Sequence, residues 1–594
     1  MIPTRRLLPA LLLATLGAGA CGSDPAISPA PSGGTASATP APTPAFPERP
    51  FAAGAWPAAG TACGLAGYTG LLGRVEAVGA RTVRFTLCAP DGAFPARLAH
   101  PALGVIDAAA VDAVAADPAA ARTVAGAGTY RVGAWPAAGD VLLERVAGAG
   151  TASPAPSRSS AGAHASPAGA KAPGGPPPVI VLRWAASSAD RSAALLAAAV
   201  DGIDAPSDAD TETMGTLPEV AVLARPGLAT AYLGFGAGKA FGKVAVRRAF
   251  AQALDHAALA RDAFPAGSRP ASAMAPCEVP AGCAGTAWYD FNGPAAAAAL
   301  AAAGYDTGTP VTLHVPDGPV PGIPDPAALA AAVQAGLAGS IGVTVKLDVI
   351  PAADLAAAVA DRTLGGLYLG GMASSLADPS AFLDPLFGTG AGSLAAARAK
   401  GVAAALHDAA TTGVPEERRA AFAAANDAVR SSAAVVPLVH PGTTAAYRVD
   451  VSGVAVSPLG TDPLGAFVPG DRRQLVVMGP SEPAGAWCPV AGATPEALRL
   501  CALVTPGLYA FNGASLDPVP ALASRCTASA GATVWTCRLR GQSFTDGRRV
   551  DAGDVLASVR AQADAGSALR AAMPAGAFTA WDELFGGPVP AGTP

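Results

Sequence analysis

The sequence predicts a mixed α/β fold in two lobes, on three observations. Stretches with the two-residue period of strands alternate with stretches of helical period. At 594 residues, 51% apolar and 14% charged, the chain can bury a large core and should divide it between lobes. The stretch 507–559, near the end of the chain, reads locally as a hairpin, a second turn and the entry of a helix, so the alternation continues to the end.

Composition narrows the function classes. The mean hydropathy of +0.37 is high for a water-soluble chain. Alanine supplies most of it, in runs broken by Pro, Gly, Asp or Arg, and after residue 21 no run of about 18 bulky apolar residues offers a bilayer span. A net charge of −5 without basic blocks argues against nucleic acid or an anionic membrane surface as the main partner and leaves small molecules or proteins.

The first residues carry an address. Arg5 and Arg6 precede an apolar run over 7–16, and Ala18-Gly19-Ala20 lead into Cys21. This resembles a bacterial lipobox, with Ala18 where Leu is more usual. It implies removal of residues 1–20, acylation of Cys21, and anchoring to the cell membrane outside the cytoplasm. Residues 21–59, rich in Ser, Pro, Ala, Gly and Thr, are expected to form a disordered tether. The Arg pair does not decide the export route.

Of the nine cysteines, those beyond Cys21 are even in number, which in an exported chain suggests disulfides. Local spacing favours Cys277–Cys283, Cys488–Cys501 and Cys526–Cys537, leaving Cys63 with Cys88, although sequence alone does not choose among the pairings. No CxxC and no nearby His suggest zinc, so no metal or other cofactor is expected.

Taken in order, residues 82–87 alternate Val, Phe and Leu with polar residues, as a half-buried strand would. Residues 150–178, again Ser/Pro/Ala/Gly-rich, read as a disordered surface insertion. Residues 179–184 and 343–350 are further strands, and 244–260 carries apolar residues at helical spacing. Pro294 and Gly304 bracket an alanine run as the N1 proline and C′ glycine of a helix. Near the end, 534–540 suits a hairpin strand, Asp546-Gly547 a turn, and Asp554 the N-terminus of a helix.

Several strings now form one pattern. Arg74-Val75-Glu76-Ala77-Val78, residues 82–87, Gly128-Thr129-Tyr130-Arg131-Val132 and Gly202-Ile203-Asp204 resemble successive landmarks of the family 5 extracellular solute-binding proteins, the peptide and dipeptide receptors of ABC importers. The resemblance continues through Tyr232-Leu233-Gly234-Phe235, residues 246–255, Ala301-Ala302-Ala303-Gly304-Tyr305, Asp378-Pro379 and Val436-Pro437-Leu438. Gly507-Leu508-Tyr509, residues 520–523 and 534–540, Phe544-Thr545-Asp546-Gly547 and Ala552-Gly553-Asp554-Val555 are similar to the family's first lobe, which normally comes first. Each string occurs once, in rotated order.

The resemblance implies a class II periplasmic-binding-protein fold, circularly permuted. Lobe I would comprise 60–227 and 445–594, with 473–594 the permuted segment, and lobe II 228–444. The join would fall in 457–472, with the new ends before Gly73 and after about Trp581. An incomplete receptor fused to the start of a second is the alternative, and it would leave strand edges and apolar faces uncovered. The implied function is a monomeric solute receptor that closes on a small, peptide-like ligand and delivers it to a permease powered by a separate ATPase. This chain has no P-loop: in 234–243, neither Gly-Lys pair has the required preceding glycine or following Ser/Thr.

In the family's peptide receptors a Trp and an Asp precede the Asp-Pro pair, and the Asp binds the peptide's amino terminus. The counterparts here are Met372 and Ser375, and Ser375 offers a peptide ammonium only a neutral dipole in place of a carboxylate. Gly370, Gly371, Met372, Ser374 and Ser375 are expected in the cleft wall or in a tight strand exit, and Asp378 as a ligand-facing carboxylate or a cap. Tyr509 and Trp535 are candidates for stacking on a ligand or for packing lobe I. His440, on the return strand near the hinge, is a further candidate for the cleft, but scattered histidines argue against a nickel or haem role. The absence of GxSxG, HExxH or a suitable carboxylate pair argues against an enzyme. The rival reading is a receptor-fold lipoprotein turned sensory or interaction module.

Overall fold

The computed structural model describes residues 51–136, 139–147, 175–389, 393–513, 515–574 and 576–593. The expected signal peptide, Cys21, the expected tether up to residue 50 and positions 150–174 of the expected insertion lie outside the described residues. No helix among the described residues is long and apolar enough to cross a membrane.

Three larger sheets organise these residues. The first is antiparallel and runs Gly54–Trp56, Leu72–Gly79, Thr82–Leu87, Val534–Leu539, Ala523–Ala528. Thr82–Leu87 buries Val83, Phe85 and Leu87 and turns the residues between them outward, as the alternation predicts. Its partner on one side comes from the far end of the chain, with Val83 opposite Cys537 and Phe85 opposite Trp535. Phe94 packs on both aromatic rings, 5.1 Å from Phe85 and 5.7 Å from Trp535 between centroids. Helix Ala552–Ala563 covers this sheet, opened by a capping box between Asp551 and Asp554. The two ends of the body also meet: Leu71 N donates to Phe585 O at 2.7 Å, and Gly586 lies against Gly70.

The second sheet runs Tyr130–Ala134, Val141–Arg145, Val179–Trp184, Gln474–Gly479, Gly202–Asp204, Gly442–Arg448, Val220–Pro226. Gln474–Gly479 inserts between strands that precede it by more than two hundred residues, parallel to both. The third sheet runs Arg269–Pro270, Val435–His440, Ala229–Phe235, Leu367–Ala373, Val311–Pro316, Val345–Ile350, and carries a hydrophobic core of its own; it is called lobe II below, and the first two sheets with their helices lobe I. The chain passes between second and third sheets twice, through Gly227-Leu228 and through Pro441. Gly227 N donates to Pro441 O at 2.9 Å, and that carbonyl leaves no room for a Cβ on Gly227, so glycine lets the two crossings touch.

Three expectations are corrected. The tether does not extend to residue 59: Gly54–Trp56 pairs with Leu72–Gly79, and buried Trp56 supplies apolar surface that a tether lacks. The body resumes before residue 179, since Pro177 is buried and its carbonyl accepts the Tyr130 hydroxyl at 2.7 Å. The helix read over 244–260 is two, Val244–Gln252 and His256–Ala263, because Asp255 caps the second through the N–H groups of Ala257 and Ala258.

The four disulfides join Cys63–Cys88, Cys277–Cys283, Cys488–Cys501 and Cys526–Cys537. Each ties residues near in sequence, and Cys526–Cys537 spans the paired strands of a hairpin.

Candidate functional site between the lobes

Strand Leu367–Ala373 lies between Ala229–Phe235 and Val311–Pro316, with Gly370 opposite Tyr232, Gly371 opposite Ala231 and Met372 opposite Thr230. Its glycines serve the packing of lobe II. A Cβ on Gly370 would strike the Tyr232 ring, and one on Gly371 the carbonyl of Pro321. Beyond the strand, Ser374 N donates to Leu228 O at 3.0 Å, so the strand exit is tied to a hinge crossing.

There the lobes touch through a hydrogen-bonded clasp. Glu583, on helix Thr579–Phe585 of lobe I, receives the Ser374 hydroxyl and the Ser375 N–H on Oε1, each at 2.6 Å, and the Ser375 hydroxyl on Oε2 at 2.7 Å. Glu583 is exposed and both serines are half-buried.

Beside the clasp, an apolar cluster bridges the lobes. Leu228, Ala275, Val279, Ala377 and Phe382 meet Leu459 and Leu516, with Met372 and Phe511 packed at the edge. Leu516 sits at the tip of the hairpin formed by Tyr509–Phe511 and Pro518–Pro520, wholly buried at a φ of 53°. A leucine in the left-handed region is strained, so its burial must offset a cost of about 1–2 kcal/mol.

A charged rim completes the contact. Asp378 is buried, accepts from Ser380 N at 3.1 Å and Ser380 Oγ at 2.7 Å through Oδ1, and pairs with Arg418 through Oδ2. Its oxygens are thus engaged within lobe II, in the capping role. From lobe I, Asp91 pairs with Arg97 at 2.7 Å, and Arg97 donates to the Leu584 carbonyl. Gly92 lies so close to Thr412 O and the Arg418 guanidinium that only glycine fits. His100, fully buried near Glu583, has its pKa pushed down to about 4 by burial, which the Glu583 charge only partly offsets. His440 is likewise buried at the hinge and lowered to about 4 by burial.

Of the residues expected at the site, the structure brings Met372, Ser374 and Ser375 to the contact between lobes and puts Asp378 at its rim. Trp535 is a lobe I core residue whose indole N–H donates to Asp91 O at 3.2 Å, and only its ring edge reaches Gly413 of lobe II. Tyr509 is buried, its hydroxyl accepting Cys526 N–H at 3.0 Å, and lines a cavity of about 640 Å³ with Tyr130, Phe511 and Phe544, wholly within lobe I. Sequence reading missed Leu516 and Glu583. The turn-like run Asn512-Gly513 to Asp517-Pro518 signals a hairpin tip, but nothing local marks Glu583.

The family model described as bacterial extracellular solute-binding proteins, family 5 Middle, matches residues 57–393. No curated protein matches the chain. Among solved structures, HbpA2 from Haemophilus parasuis is 24% identical, covers 65% of this chain and 73% of its own, and superposes with a TM-score of 0.55, a likeness of fold. DppA from Helicobacter pylori in complex with peptide STSA is 20% identical, with 64% and 71% covered and a TM-score of 0.40. The dipeptide binding protein from Pseudoalteromonas sp. SM9913 in complex with Met-Leu is 19% identical, with 63% and 71% covered and a TM-score of 0.39.

Proposed function

Because the chain belongs to the family 5 bacterial extracellular solute-binding proteins, we propose that it is the substrate-binding lipoprotein of an ABC importer, anchored through Cys21. It captures a small, peptide-like solute between its lobes and presents the closed form to a membrane permease. The observation that carries this reading is the strand exit at Ser374, where the cleft wall is hydrogen-bonded to the hinge residue Leu228. A solute touching that wall favours closure by its differential affinity for the closed state.

The element order is read as a circular permutation of the family's. What supports it is the pairing of Val534–Leu539 with Thr82–Leu87 and the hydrogen bond from Leu71 to Phe585, contacts between the early and late parts of the chain that a rotation calls for.

Thermal-shift screening tests the function. The full chain with Cys21→Ser is screened against peptides, amino acids, sugars and metal chelates. A true ligand at about 100 times its Kd adds roughly 2.7 kcal/mol of stability. Response to none of these classes would sink the receptor reading and favour the second, an interaction or sensory module, which the apolar filling around Leu516 supports.

A further inference from the structure

The clasp around Glu583 has the chemistry of a carboxylate site. Two adjacent residues aim three donors at the two oxygens, at 2.6, 2.6 and 2.7 Å. The Ser374 hydroxyl oxygen accepts the Leu376 N–H at 3.1 Å, which leaves its proton directed at the carboxylate. A backbone N–H cannot accept, so an ammonium would meet at least one opposed donor here, whereas a carboxylate satisfies all three. The serines belong to lobe II and Glu583 to lobe I, so the internal carboxylate bridges the cleft that a solute is to enter. Glu583 is exposed, so on release its carboxylate returns to water at little cost.

We infer that Ser374 and Ser375 form the carboxylate subsite of the solute cleft, that Glu583 occupies it in the empty receptor, and that the carboxylate of an arriving solute displaces it. This rests on the solute-receptor reading and adds a ligand class: solutes carrying a free acid, such as peptides with an unmodified C-terminus. The serine backbone transmits the exchange, since the Ser374 N–H is held by Leu228 in the hinge.

Tri-alanine and tri-alanine amide, titrated calorimetrically into the full chain with Cys21→Ser, are the probes. The acid should bind about tenfold or more tightly than the amide, the difference of a lost charge-assisted hydrogen bond. Glu583→Gln should tighten the acid more than the amide, because the internal competitor loses the charge that made it the stronger acceptor. Ser374→Ala with Ser375→Ala should abolish the preference, and Glu583→Gln keeps the test alive should the double variant fold poorly. Equal binding of acid and amide, or a Glu583→Gln variant with unaltered acid affinity, overturns the inference while the receptor reading stands. Silence of both peptides in every variant overturns it too, and the wider solute screen then decides separately whether the receptor reading survives.

Discussion

Asp462 holds together a buried ionic quartet, and Asp462→Asn should be among the most damaging single-atom changes in lobe I. Its Oδ1 accepts from Arg225 at 2.7 Å and from Ser457 N at 2.7 Å, and its Oδ2 from Arg225 at 2.8 Å and Arg499 at 3.0 Å. Asp204 closes the ring, 2.6 Å from each guanidinium. Burial opposes the charge on both arginines, but the two carboxylates outweigh it and raise both pKa values. Two guanidiniums face two carboxylates, and Asn leaves two against one, with an amide donor turned towards a cation. Removing one member of a buried pair costs about 3–5 kcal/mol. With a urea slope near 3 kcal/mol per M, the midpoint of tryptophan-detected unfolding should fall by roughly 1 M or more. The quartet draws Asp204 and Arg225 from before lobe II, Asp462 from after it, and Arg499 from the C-terminal segment, so the measurement also asks whether that segment folds with the lobe. A shift below about 1 kcal/mol would refute the reasoning, since an exposed pair loses no more than that.

Three further outcomes are expected. His100 and His440 stay neutral in the folded chain down to about pH 4 while the unfolded chain takes up protons near 6.5, so stability is full above 6.5 and drains as pH falls towards 4, by up to roughly 3 kcal/mol per histidine; denaturation midpoints that stay flat over that window would contradict the burial argument. Gly92→Val places a side chain against Thr412 and Arg418 of the other lobe and should prop the lobes apart, read as a larger radius of gyration in solution scattering; an unchanged radius would mean the two lobes do not meet there. Leu516→Ala should cost roughly 2–5 kcal/mol through the cavity left in the apolar cluster, measured by denaturation, and a neutral result would show that strain at its φ cancels the value of its burial.

Much of the fold could be read locally. The strands over 82–87 and 179–184 match Thr82–Leu87 and Val179–Trp184, and the helix bracketed by Pro294 and Gly304 is Gly293–Ala302. These elements declare themselves by period and by cap. Asp255 was equally a cap signal, but the helical period running on both sides of it masked the break. The site was harder, because its residues meet only through the fold. Ser374 and Ser375 could be placed by their distance from Asp378-Pro379, whereas Glu583 reaches them from a helix 208 residues away in sequence, and a lone exposed Glu has no signature. Trp535 illustrates the converse: an aromatic that could stack on a solute is instead buried, because the strand carrying it alternates inward at Trp535, Cys537 and Leu539.

On the proposed rotation, local reading and tertiary structure agree despite an unusual connectivity. Thr82–Leu87 is paired on both edges, by Leu72–Gly79 just before it and by Val534–Leu539 from the far end of the chain. In a truncated tandem arrangement this strand would offer an open edge and Phe85 an uncovered ring, a costly arrangement that favours aggregation. Phe585 and Leu71 are hydrogen-bonded neighbours, and under the proposed rotation, cutting the chain near them and joining it through 457–472 changes which residues are consecutive but not which are in contact. The loop at that join is itself held, Asp462 by two arginines and Leu459 by the cluster between the lobes, so it contributes to the lobe as well as connecting it. Contacts determine the free energy of the folded lobe, and connectivity enters chiefly through loop-closure entropy, which grows only slowly with length.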